Sequence, residues 1–243
     1  MLVKLSNTRG LFKSALGAGI AFFALTGAAT IAQAITLNDT VTITVYQGTN
    51  PGNAIGDAME QANKLNPLLS TTAIGTGTYT GNIDFIEPTG GSNNINDFLL
   101  SAPGSKTLTG TLASLSGFQL STTGFKVTTL FVITGSTANI LTGTIHHDDG
   151  SSLYDGPGYT NTVFDAAGPV VDTPTGYSGL TGTWELLYVE ANDLPARLTF
   201  DVSRSEAPPT TPIPGALPLF ASGLGALGLL GWRRKRKAAA IAA

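Results

Sequence analysis

Thr142-Gly-Thr-Ile-His-His-Asp148-Asp149-Gly150-Ser-Ser-Leu153-Tyr154-Asp-Gly156 holds the densest polar group in a chain of 243 residues. Residues 138–146, which lead into it, read as a strand. The strand runs out into two consecutive carboxylates followed by glycine. Asp-Asp-Gly is good turn chemistry in its own right. At the mouth of a strand it is also a pair of hard oxygen ligands of the kind that suits calcium. Both histidines of the chain, His146 and His147, stand just before it, so a transition-metal site is a third reading. Against it, adjacent residues of a strand point to opposite faces, which makes joint chelation awkward.

Outward from this stretch the pattern stays that of strands. Thr40-Val-Thr-Ile-Thr-Val-Tyr46 alternates with period two, and residues 81–87, 124–134, 183–189 and 196–202 are further short apolar or alternating runs. Turn clusters separate them at Asn50-Pro-Gly52, Pro88-Thr-Gly-Gly91, Asp155-Gly-Pro-Gly158 and Asp172-Thr-Pro174. The expectation is an all-β domain over residues 35–206, an antiparallel β-sandwich or jelly roll. One short helix interrupts it over about residues 54–66, with Asn53 as cap, Ile55, Ala58, Met59, Ala62 and Leu65 at helical spacing, and Pro67 as its stop. No repeat of fixed period is visible, which argues against a solenoid or propeller.

Composition narrows the function classes. The chain has no cysteine, which removes disulfide scaffolds, thiolate zinc sites, cysteine nucleophiles and lipoprotein anchoring. All 16 Asp and Glu lie between Asp39 and Glu206, against five Lys or Arg in that stretch, a net of −11. Such a surface repels nucleic acid and anionic membranes and attracts cations. No Gly-x-Ser-x-Gly elbow, phosphate loop, dinucleotide fingerprint or zincin motif is present. Glu185, Glu190, Asp148 and Asp149 could supply paired acids for glycoside hydrolysis, but spacing alone does not set their separation. The expectation is a protein that is not an enzyme.

The two ends read as addresses. Lys4, Arg9 and Lys13 precede an apolar run that closes on Ala32-Gln-Ala34, the layout of a secretory signal peptide over residues 1–34, cut by signal peptidase after Ala34. At the other end a Pro-rich linker and sorting motif (207–216) leads into an uncharged apolar span (217–232), long enough to cross a thin bilayer as a helix. Arg233-Arg234-Lys235-Arg236-Lys237 follows within the tail 233–243 as a cytoplasmic stop. The order Pro212-Ile213-Pro214-Gly215, glycine-rich span, basic cluster resembles the PEP-CTERM protein-sorting signal, nearest to its Val-Pro-Leu-Pro-Ala variant. Ile213 and Gly215 depart from the family patterns. The resemblance implies an exosortase substrate of a Gram-negative bacterium that makes exopolysaccharide. Such a protein is held transiently in the inner membrane, cut near the motif, and delivered to the cell surface or extracellular matrix.

The central stretch, together with Trp184-Glu-Leu-Leu-Tyr188-Val-Glu190-Ala-Asn192-Asp-Leu194-Pro-Ala196-Arg-Leu198, looks like the second half of a PA14-type β-sandwich. In glycan-binding members of that family the Asp pair is joined by a cis peptide and holds a calcium ion that also contacts sugar hydroxyls. Carried over, the resemblance makes Asp148 and Asp149 the pair, Asn192 a later side-chain ligand and Leu194 a carbonyl donor. Asn192-Asp193 also reads as a plain hairpin turn. The expected function is that of an exported surface or biofilm-matrix protein binding calcium and, through it, exopolysaccharide or cell-surface glycan. A passive structural spacer and, less favoured, a polysaccharide-active hydrolase are the alternatives. N-terminal sequencing of the exported protein should find a mature chain that begins at Ile35.

Overall fold

A computed structural model describes residues 35–49, 56–206 and 224. The signal peptide, the linker and sorting motif, the apolar span apart from residue 224, and the basic tail all lie outside the described residues. No helix among the described residues is long and apolar enough to cross a membrane.

The chain order is β1 (Ile35–Thr36), β2 (Asn38–Thr49), β3 (Gly75–Asn82), β4 (Asp84–Glu87), α1 (Ile95–Leu100), β5 (Thr107–Leu108), β6 (Val127–Asp148), β7 (Gly150–Asp155), β8 (Asn161–Ala166), β9 (Thr173–Glu190) and β10 (Ala196–Glu206). All the strand pairs are antiparallel. The all-β expectation holds. Runs 124–134 and 138–146 are one 22-residue strand, β6. Between Thr137 and Gly143 its ladder with β9 shifts register twice, the kind of irregularity by which a strand bends from one layer into another. The first half of β6 pairs with β2 and with the C-terminal half of β9. Its second half pairs with β10 and with the N-terminal half of β9. The hydrogen-bonded order is β5-β3-β2-β6-β9-β7-β8, with β10 beside the second half of β6 and β1 and β4 paired to β10, so the bent β6 and β9 carry one continuous sheet from one layer into the other.

Burial explains the sequence pattern along β6. Residues 128–133 are all buried, whereas 140–148 alternate. Phe131 and Ile133 face the main core, while Leu130 and Val132 face a second cluster on the sheet's other side, with Leu187, Val189, Ala62 and Leu68. A strand covered on both faces needs a continuous apolar run, and one open on one face needs alternation. The main core is aromatic: Phe98 of α1 stacks on Tyr188 at 5.7 Å and contacts Phe131 at 5.6 Å. Trp184 meets Phe200 of the other layer edge-on at 5.1 Å.

The helix expected over 54–66 is not formed in its described part. A single 3-10 turn, Ala58–Glu60, stands there instead, and a second, Pro67–Ser70, follows it. Side chains compete with the helical ladder: Asp57 caps Met59 N, and Asn66 Nδ2 donates to Met59 O (2.9 Å) and Gln61 O (2.8 Å). The Ala62 amide bonds across to Ala167 O at 2.8 Å, and Leu65, which a helix would have buried, is 81% exposed. Asn53 and Ile55 lie outside the described residues. Among the described residues of 35–206 the α-helix is α1, where Asn94 Oδ1 accepts from the Asp97 amide at 2.8 Å as its N-cap.

Gly135 of β6 gives room to the Trp184 indole, since a Cβ there would lie 2.2 Å from Trp184 Cζ2. Gly135→Ala should destabilise the domain by about 1–3 kcal/mol through overpacking. Urea unfolding followed by tryptophan fluorescence checks this.

Candidate functional site

The site forms where the chain crosses between layers. β6 ends at Asp148, paired with Arg197 of β10, and the preceding His147 pairs with Thr173, the first residue of β9. One residue past Asp149, Gly150 begins β7 and pairs with Val189, near the other end of β9. The Asp148–Asp149 peptide, which is cis, therefore lies between the two ends of β9. Gly150 is required there because a Cβ would fall 2.1 Å from Ala167 O. This turn and the loop after β9 line a cavity of about 610 Å3, within the range of small-molecule sites. Asp148, Asp149, Asn192 and Leu194, all singled out from sequence, line it together, and Asp172 and Asp193 join them.

Each polar group is held from behind. Asp149 Oδ2 accepts from the Ala191 amide at 2.9 Å, and the Asn192 amide also hydrogen-bonds its carboxylate. The Asp172 amide does the same for Asp148. Asp193 receives Asn93 Nδ2 at 2.9 Å and Thr123 Oγ1 at 2.7 Å, which pins the loop that carries Asn192. Asn192 Oδ1 accepts from Gly124 N at 3.1 Å and, as a carbonyl oxygen, has a second lone pair. The two histidines split as strand geometry requires. His147 is fully buried and bonds Asp149 O at 2.7 Å and Thr175 Oγ1 at 2.9 Å; its pKa is lowered, chiefly by burial. His146 lies 3.7 Å from Asp172 on the other face. They do not converge on a metal.

Behind the turn lies a buried chain that the sequence did not reveal. The Tyr188 hydroxyl bonds both the Asp148 carbonyl and Glu190 Oε2, the latter at 2.9 Å. Ser121 Oγ donates to Glu190 Oε1 at 3.0 Å. A tyrosine hydroxyl has one proton, so both of its contacts are hydrogen bonds when Glu190 is protonated. Consistently, burial, followed by the charge of Asp149, pushes the Glu190 carboxyl well above the usual range. Glu190 is 1% exposed and lines neither the cavity nor its neighbour, so it does not face the cavity as the acid of a hydrolase pair would. Asp172 and Arg197, paired at 2.6 Å, were also missed. Asp172 looked like part of a loop separator, and only the His147–Thr173 register sets it beside Asp148.

The donor set is all oxygen. Among the described residues no three His, Cys, Asp or Glu side chains gather closely enough to hold a metal by themselves. An ion held by Asp148 and Asp149 needs amide, carbonyl and water oxygens to complete its shell. Calcium, with six to eight oxygen ligands, accepts such a set, and zinc, with four N or S ligands, does not. The residues fit calcium.

Without a cation the Asp pair is electrostatically costly. Burial raises both carboxyls to about 6; the charge of Asp172 adds to the effect on Asp148, and that of Asp148 to the effect on Asp149. A carboxyl raised on folding destabilises the folded form when ionised, and this penalty disappears as pH falls through the folded pKa toward the unfolded value near 3.8. His147 acts in the opposite sense below its unfolded pKa of 6.5, so the Asp contribution is read as a difference. In chelator at pH 7, Asp148→Asn should melt a few degrees above the parent, and the gap should narrow to roughly half by pH 5 and close near pH 4. Thermal unfolding across that range tests it.

Comparison with known proteins matches no family model and no curated protein. Among solved structures the chain is similar to a PA14 sugar-binding domain from an RTX adhesin, at 18% identity and TM-score 0.46 over 70% of this chain and 99% of that one. It is also similar to the PA14 domain of the antifreeze protein MpAFP, at 10% identity and TM-score 0.33 over 68% of this chain and 82% of that one.

Proposed function

We propose that this is a calcium-assisted glycan-binding module of an exported, exosortase-processed surface or matrix protein. The observation that carries it is the convergence of Asp148, Asp149, Asn192 and Leu194 on one cavity whose lining among the described residues contains no Lys, Arg or His. In such a site the protein supplies the ligands, and the ion would offset the repulsion of the ionised pair while polarising neighbouring sugar hydroxyls. The reading also agrees with what the PA14 resemblance implies for these same residues. Export, exosortase processing and the transient inner-membrane anchor rest on the two terminal segments of sequence.

One observation favours the alternative of a passive structural protein. Asp149 already accepts two backbone amides, a use of the carboxylate that needs no ion. Calcium titration separates the two. A cation that binds only the folded form stabilises it by about 2.7 kcal/mol at a hundredfold excess over Kd. For a domain of this size that is a rise in Tm of roughly 5–10 °C. The purified chain should show that rise in calcium over chelator, and Asp148→Asn should abolish it. An unchanged Tm and no heat of calcium binding would leave the structural reading standing.

A further inference from the structure

A second cavity of about 500 Å3 adjoins the first. Ile86, Pro88, Thr89 and Arg197 line it, together with Asp148, Asp172 and Pro195, which belong to both cavities. Each cavity alone is large enough for a small ligand, and the Asp172–Arg197 pair sits where they meet. We infer that the two form one groove that takes a neutral glycan chain of at least two consecutive units, the first at the Asp148–Asp149 turn and the next over Ile86 and Arg197. The inference rests on the glycan-binding reading and adds to it the length and charge of the ligand.

Three observations support the length and the placement. Ile86 is 42% exposed although it sits on a strand that pairs with β10 directly opposite Arg197. With Pro88 and Pro195 it gives the second cavity an apolar wall, of the kind that receives the C–H face of a sugar ring. Arg197 places Nη1 on Asp172 and Nε 3.3 Å from Thr199 Oγ1. A guanidinium carries five N–H groups, more than these contacts use, and their remaining partners would be hydroxyls. On the far side, Val171, 80% exposed, and Val170 line the first cavity, so apolar surface flanks the acidic turn at both ends.

Charge decides which chain fits. Arg197 is the one Lys, Arg or His lining the second cavity, against the two carboxylates Asp148 and Asp172, and Asp172 is already matched to it. With calcium on Asp148 and Asp149 and Arg197 on Asp172, the carboxylate of Asp193 still leaves the two linings net negative, so a uronate or sulfated unit is disfavoured against a hydroxyl in the same place. A cavity built for an acidic polymer would show cationic side chains beyond Arg197.

The experiment is a printed array of neutral hexose and uronate oligosaccharides, one to four units long, probed with the full chain in calcium and in chelator. Hits are then titrated by calorimetry. The expected result is calcium-dependent binding to neutral chains, about tenfold tighter for two units than for one. Uronate chains of the same linkage should be weaker. Thr89→Trp, an exposed loop substitution that fills the second cavity, should bring the disaccharide down to the single-unit affinity, and the Ile86 methyl resonances should shift on disaccharide binding only in the parent. Calcium-dependent hits that gain nothing beyond one unit, or that prefer uronates, would overturn the inference and leave the site reading intact. Calcium binding with no glycan hit would overturn both the inference and the glycan half of the reading. Absence of calcium binding would remove the reading itself.

Discussion

The structure depends on the pairing of β9. Its first residues pair with the end of β6, and its last residues pair with the start of β6 and with β7. A strand of 18 residues held at both ends in this way has to bend around the core, and β6 bends with it at the shifts between Thr137 and Gly143. Once the two strands are bent, the short link from β6 to β7 must cross between layers within two residues. Those residues are Asp148 and Asp149. The position of the candidate site follows from the sheet topology, with Gly150 giving the room that the crossing needs.

The same crossing explains the electrostatics. Acidic groups from β6, the β8–β9 loop, the end of β9 and the following loop are drawn to one place, and the aromatic core beneath them excludes water. The protein answers in two ways. Backbone amides of Ala191, Asn192 and Asp172 point at the carboxylates, and Glu190, buried deepest, is tied to Tyr188 and Ser121. Neither device supplies positive charge. Arg197, the one cationic side chain near the turn in the two cavity linings, is spent on Asp172. With both carboxyls raised only to about 6, the pair is ionised at pH 7 and its mutual repulsion and burial are a cost that the fold carries.

Packing on both sides of the central strands is the second constraint. Leu130 to Ile133 and Leu186 to Val189 each serve two apolar clusters. The segment 58–70 covers the second cluster without forming a helix, because Asp57, Asn63 and Asn66 bond the backbone locally. Its amide at Ala62 is spent on Ala167 O, next to the turn.

By itself the sequence determined the all-β class, most strand positions and the Asp-Asp-Gly turn, because two-residue alternation, continuous apolar runs and turn residues are local signals. It also marked Asn192 and Leu194, through resemblance rather than spacing. It misread 54–66, where helical spacing of apolar residues was outweighed by side-chain bonds that no periodicity reports. Its run 81–87 marks β4 but only the last two residues of β3, and it does not mark β5, β7, β8 and α1, whose short stretches take their state from neighbours. Tertiary structure alone decided that Asp172 stands beside Asp148, that Arg197 faces it, and that Glu190 is sealed under Tyr188. Those placements come from strand register between segments distant in the chain, and register is set by which faces can be buried together.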